Sequence, residues 1–140
     1  MVQSVSPHAR TRAFARVLGP FLTIVTALII YRIPTMTETF QDFFANEAMV
    51  WITGAMLLLS GLIIIAFHQY WRTLAAVLVS LFGWFLALRG AVLLIAPNLI
   101  VRGAETMMPH QTLLRLGFGL LTLIGLYLTY VGWIADPRED

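Results

Sequence analysis

The sequence contains no cysteine and no lysine, and charged residues make up only 11% of its 140 residues. Without cysteine there can be no disulfide, no thiolate metal ligand and no cysteine nucleophile. A soluble globular domain carries about 25% charged residues, so the composition is not that of a soluble domain. The net charge of only +2 gives no reason to expect nucleic acid as a partner.

Acidic residues are absent from every long apolar stretch, since all of them lie in loops or tails. A proton-coupled transporter normally places a carboxylate within a membrane span, and this chain offers none. The three histidines, His8, His68 and His110, also lie outside the apolar stretches. Haem ligation between helices and a metal site are therefore not expected, and no cofactor is predicted.

Catalytic chemistry has no clear candidate in the sequence. Ser80 lies within an apolar stretch and has no histidine close to it along the chain, so no nucleophile–base pair is predicted. His68 is followed closely by Tyr70 and Trp71, which predicts that it anchors a turn at headgroup depth. The chain is therefore not expected to be an enzyme.

What the sequence does contain is four long stretches without a charged side chain, at residues 17–31, 48–67, 73–88 and 116–135. A hydrocarbon core about 30 Å thick needs roughly 20 apolar residues at 1.5 Å each, and these stretches with their flanks supply them. The predicted fold is an all-α membrane protein with four transmembrane helices in an up-down antiparallel bundle. The transmembrane domain covers residues 17–135, with spans at about 17–33, 48–67, 73–96 and 113–133.

Arginines mark one side of the predicted membrane domain. Five arginines are predicted to lie on the same side of the membrane. They are Arg10, Arg12 and Arg16 in the N-terminal tail (1–16), Arg72 in the turn after the second span and Arg138 in the C-terminal tail (136–140). By the positive-inside rule this side is cytoplasmic. The sequence thus predicts a multi-pass protein of the bacterial inner membrane with both termini in the cytoplasm.

The first outer loop, residues 35–47, has an amphipathic pattern. Phe40, Phe43 and Phe44 recur at helical spacing, while Glu38 and Asp42 fall on another face. This spacing predicts a short helix lying in the membrane interface. The acids are candidates for contact with a partner or a cation, although most such groups are only a solvated face. The second outer loop is expected at residues 98–112.

Small residues form stripes along the spans, and such stripes allow helix backbones to approach closely in lipid. The third span carries Ala76, Ser80, Gly83, Ala87 and Gly90, and the fourth carries Thr122, Gly125, Thr129 and Gly132. Shorter series occur in the first span (Gly19, Thr23 and Thr26) and the second (Gly54 and Gly61). We expect these residues to line a tight bundle in which the third span is central.

Arg89 lies within the third span, about 140° around the helix from the small stripe. A charged residue in a span costs about 2.5–3.5 kcal/mol on insertion scales. Arg89 is expected to reach lipid headgroups or to pair with an acid on a loop or a partner subunit. Arg32 and Arg115, at the ends of the first and fourth spans, are candidates for the same contacts.

These features favour a non-catalytic membrane protein that acts as an accessory, assembly or stabilising subunit of a larger complex. Its partners would be the lipid bilayer and other membrane subunits, or further copies of itself. One alternative is a self-associating channel or carrier in which Arg32, Arg89 and Arg115 attract anions. A membrane-embedded enzyme acting on lipid is a third and weaker alternative.

Overall fold

A computed structural model describes residues 7–135, which form helices and short connections without any strand. The predicted tails at 1–6 and 136–140, and hence both chain termini, lie outside the described residues. The six helices are α1 (Pro7–Arg32), α2 (Met36–Ala45), α3 (Glu47–Phe67), α4 (Leu74–Ile95), α5 (Pro97–Met107) and α6 (Gln111–Trp133), with a 3-10 turn at Ile33–Thr35.

Four of these helices, α1, α3, α4 and α6, are long and apolar enough to cross a membrane. The protein is therefore a helical, multi-pass membrane protein. α4, with 22 residues, is about 33 Å long at 1.5 Å per residue, which matches the hydrocarbon thickness.

Helix boundaries follow from local capping. The Asn46 side chain accepts a hydrogen bond from the backbone N–H of Met49, and Thr73 Oγ1 accepts one from the N–H of Ala76, both at 3.2 Å. These side chains satisfy backbone donors that a helix start leaves free. Pro97 begins α5, a position where its missing N–H costs nothing.

Two segments differ from the sequence expectation. α1 begins at Pro7, ten residues before the expected span, because Thr11 and Ala15 are buried one helical turn apart against the rest of the molecule. Most of the expected second outer loop is helical as well, since residues 97–107 form α5. Its apolar side chains lie on one face, so periodicity rather than overall hydropathy is the signal for this helix.

The helices pack mainly as two pairs, α1 with α6 and α3 with α4, and α1 also contacts α4. Buried side chains join the pairs in one core made of Ala15, Leu18, Leu22, Ile64, Ala75, Val79 and Leu128. The start of α1, the turn at 68–73 and the end of α6 lie together, and we call this the turn end. α2 and α5 lie together at the opposite end, around a cavity of about 210 Å³ lined by Phe40, Phe44, Val101 and Glu105, among others.

Candidate functional site

The small residues of α4 lie against α3. A Cβ atom added at Gly83 would come within 2.6 Å of Ile64 Cγ2, and one added at Gly90 would lie 2.7 Å from the backbone oxygen of Gly54. A Cβ at Gly61 of α3 would collide with the backbone of Ala87. Ala76, Ser80, Gly83, Ala87 and Gly90 are all buried. The two backbones are thus in direct contact, with no room for a lumen between them.

The small residues of α6 lie against α1, which is distant in sequence. Residue numbers that rise along α1 meet residue numbers that fall along α6. The contacts are Arg16 with Gly132, Gly19 with Thr129, Thr23 with Gly125 and Thr26 with Thr122. The hydroxyls of Thr26 and Thr122 are 2.7 Å apart, so a polar contact lies between the two helices. Each hydroxyl also lies within hydrogen-bond distance of a carbonyl four residues earlier in its own helix. Because a hydroxyl has one hydrogen to donate, one threonine donates to its own carbonyl and the other donates across to its partner.

His68 is the most buried imidazole of the described chain and connects three segments. Its Nε2 lies 2.9 Å from Thr11 Oγ1 of α1, and its Nδ1 lies 3.1 Å from Ser80 Oγ of α4. The hydroxyl of Ser80 is also placed to donate to the backbone oxygen of Tyr70, at 3.1 Å. The sequence predicts that His68 is an interface anchor; the structure shows that it is buried within the chain, with only 1% of its surface accessible.

The same geometry brings Ser80 beside a histidine, although none is close to it along the chain. The turn at 68–73 folds back, so residues twelve positions apart meet. A hydroxyl beside an imidazole is the arrangement of an activated nucleophile, but Ser80 and His68 are each 1% exposed. No substrate can reach this pair in the described arrangement, and its hydrogen bonds instead hold α1 against the α3–α4 pair.

Burial lowers the pKa of His68 below its usual value of 6.5, and a backbone hydrogen bond partly opposes this effect. A neutral ring can satisfy both neighbours if one nitrogen donates to one hydroxyl and the other nitrogen accepts from the second hydroxyl. Because the Ser80 hydroxyl donates to the backbone oxygen of Tyr70, it accepts from Nδ1–H, and the Thr11 hydroxyl then donates to Nε2 rather than to the backbone oxygen of Pro7, which is 3.1 Å away. This network is therefore complete without a charge on the ring.

A second polar cluster lies at the turn end, where α1 and α6 meet. The Nε atoms of Arg12 and Arg16 both donate to the backbone oxygen of Gly132, at 3.2 and 2.7 Å. The Trp133 ring centroid lies 5.8 Å from the Arg16 guanidinium carbon. The last carbonyls of a helix lack partners within the helix and carry partial negative charge, which explains why two cations converge here. The sequence predicts that Arg12 and Arg16 set the topology and contact anionic lipid, but it does not predict this shared backbone oxygen.

The other candidate residues are dispersed. Arg89 is on the exposed side of α4, and Arg32 and Arg115 are exposed near the opposite end of the molecule. Glu38 and Asp42 are exposed on α2. Within residues 7–135, none of these side chains forms an ion pair, and no group of three histidines or acids is close enough to hold a metal ion. The structure thus does not gather these residues into one site.

In comparisons with known proteins, no family model, no curated protein and no solved structure matches this chain.

Proposed function

We propose that this chain is a non-catalytic membrane protein that serves as an accessory, assembly or stabilising subunit of a larger membrane complex. Its four spans would form an up-down antiparallel bundle in a bacterial inner membrane, with both termini in the cytoplasm. The reversed order of the contacts between α1 and α6 supports the up-down arrangement. The arginines Arg10, Arg12, Arg16 and Arg72 support the orientation, since all four belong to the turn end.

The observation that carries the proposal is the position of Arg89. It lies six residues before the end of α4 at Ile95, which places its Cα about 9 Å inside the helix end. It is exposed, together with Phe85 and Leu88 on the same side, and has no counter-charge among the described residues. Because an unpaired charge inside a span is costly, an acidic or carbonyl group of another subunit is a favourable partner.

The packing of the chain supports a structural role. The glycines of the two helix pairs bring backbones together, so each pair contains helix contacts rather than a passage. No buried side-chain nitrogen or oxygen atom of the described residues lacks a hydrogen-bond partner. A protein with a satisfied interior and a charged residue on an outer face is suited to binding through that face.

Native mass analysis after extraction in a mild detergent tests this function. We expect the 15.7 kDa chain to be recovered in a larger complex with a defined partner, and we expect Arg89→Gln to release that partner while the chain still accumulates. Arg102→Gln is the matched control, because Arg102 is exposed on α5 outside the four spans. Recovery of the wild type as a lone monomer would contradict the proposal.

The alternative of a small anion channel or carrier rests on the exposed arginines Arg32, Arg89 and Arg115. Since the glycine contacts leave no lumen within either helix pair, an anion path would have to lie between the pairs or between copies. Purified protein in liposomes decides this alternative. Anion flux that Arg89→Ala abolishes would favour a channel over an accessory subunit.

A further inference from the structure

Arg12 and Arg16 form a pair of cations that the described chain leaves without an anion. Because both Nε atoms lie within 3.2 Å of one oxygen, these two nitrogens are within about 6 Å of each other, and the like charges of their guanidinium groups repel. Within residues 7–135, the attraction that offsets this repulsion comes from the partial charge of a helix end and, for Arg16, from the face of the Trp133 ring. The described acids, Glu38, Asp42, Glu47 and Glu105, belong to the opposite end of the molecule.

Most of the donors of these two side chains are also uncommitted. A guanidinium has five N–H groups, and each arginine donates through Nε to Gly132. The Nη groups form no hydrogen bond with any other described residue. Fixing Nε orients a planar guanidinium, and a planar fork of N–H groups is suited to bind phosphate oxygens through two hydrogen bonds.

Trp133 places this pair at a polar–apolar boundary. Trp133 is 63% exposed, its ring lies beside Arg16, and it is the last residue of the apolar helix α6. Tryptophan is enriched where a span meets the headgroup layer. An anion bound here would therefore be at the depth of lipid phosphates.

We propose that Arg12 and Arg16 together bind one phosphate group, supplied by the headgroup of an anionic phospholipid, with Trp133 against the lipid beside it. The site is independent of the proposed accessory role. It differs from general attraction to a negative surface because the two guanidinium groups are held by a common backbone oxygen. The same phosphate chemistry could come from free phosphate in solution, and the test below separates the two sources.

The test measures the thermal stability of the purified full-length chain in detergent, titrated with phosphatidylglycerol, phosphatidylcholine or inorganic phosphate. Of these three additives, we expect only phosphatidylglycerol to raise the melting temperature of the wild type. Arg12→Gln with Arg16→Gln should raise the half-saturating lipid concentration about tenfold or more, since it removes the charge-assisted hydrogen bonds that two guanidinium groups offer a phosphate. Arg12→Lys with Arg16→Lys keeps the charge but loses the fork, and should also weaken binding.

The matched control is Arg10→Gln with Arg72→Gln, which removes the same charge from the same end at two exposed positions. This double variant should have nearly the same half-saturating concentration of phosphatidylglycerol as the wild type. Equal weakening by both pairs would show that only the surface charge matters and would overturn the site. Equal stabilisation by inorganic phosphate would overturn the assignment to lipid.

A further variant tests whether acidic residues of the same chain, rather than a lipid, bind the two arginines. The acids Asp136, Glu139 and Asp140 follow Trp133 in the sequence and lie outside the described residues. Changing them to the corresponding amides should leave the half-saturating concentration of phosphatidylglycerol nearly unchanged. A tenfold gain in affinity would show that these acids, rather than a lipid, are the native partners of the arginine pair, and the proposal would fall.

Discussion

The indole Nε1 of Trp133 donates a hydrogen bond of 3.1 Å to the backbone oxygen of Arg16. In a regular helix that oxygen would accept from the N–H of the residue four positions later, but this residue is Pro20, which has no N–H. A proline inside α1 is thus accommodated by a side chain at the end of α6. The relationship explains how α1 can continue through Pro20 while remaining tightly packed against α6.

Replacing Trp133 by Phe should lower stability in detergent by about 0.5–1.5 kcal/mol, the usual contribution of one hydrogen bond. If the lost bond is responsible, Pro20→Ala should restore the missing helix donor and make the same Trp133 change less costly. A double-mutant cycle of thermal unfolding measures this coupling. Trp84→Phe is the control, because Trp84 is exposed on α4 and is not in the hydrogen bond. Additive effects of the Trp133 and Pro20 changes would show that the two positions are not linked.

Glycine substitutions should separate into two groups according to the atoms that they meet. Gly61→Ala and Gly90→Ala place a methyl group against backbone atoms of the partner helix, so each should cost about 1–3 kcal/mol as overpacking. Gly117→Ala meets nothing within 4 Å and should be neutral or slightly stabilising, because alanine favours helix. Melting temperatures of the three variants test this order.

Gly83 should be intermediate in that series, since its nearest neighbours are Cγ2 and Cβ of the buried, β-branched Ile64, which are stiffly held but are not backbone atoms. Gly83→Ala should therefore be milder than Gly61→Ala, whereas Gly83→Leu should prevent accumulation or strongly lower stability. Leu81→Phe is a suitable comparison, because Leu81 is exposed on α4. If Gly83→Leu were tolerated as well as Leu81→Phe, this helix face would not be a packing surface.

The fold should lose stability on acidification through His68. Burial lowers the pKa of His68 in the folded state below 6.5, so the unfolded state binds more protons as the pH falls through that range. The stabilising contribution is complete above about pH 6.5, is lost progressively below it, and reaches its limit below the folded pKa. Melting temperatures from pH 7.5 to 5.0 should fall more for the wild type than for His68→Gln. His110→Gln, at an exposed position, should keep the slope of the wild type. An unchanged slope in His68→Gln would contradict this role.

Sequence periodicity predicts much of the fold but does not identify which helices pair. The lengths of the apolar stretches predict four spanning helices, because a membrane fixes the length that a helix needs. The spacing of Gly125, Thr129 and Gly132 identifies a close-packing face of α6, yet nothing in that spacing indicates that α1 covers it. Partner choice depends on how side chains of both helices interlock, which is a property of the pair.

The polar contacts at the turn end were harder to predict. His68 follows an apolar helix and precedes two aromatic residues, a context that also describes an interface anchor. Its partners, Thr11 and Ser80, lie on two other helices, so only the tertiary structure brings them together. The one available signal was an apolar-helix serine, Ser80, whose hydroxyl requires a buried partner.

Cysteine cross-linking in native membranes is the most direct test of the central claim, which is that α1 and α6, the first and last helices of the described residues, pack closely against each other. The chain has no cysteine of its own, and the Thr26 and Thr122 hydroxyls are 2.7 Å apart. Under mild oxidation, Thr26→Cys with Thr122→Cys should form a disulfide within one chain in high yield, because the two sulfur atoms would lie within reach of each other. Thr26→Cys with Ala87→Cys, which joins the two different helix pairs, should not. Absence of the first cross-link, or its formation only between two chains, would contradict the account.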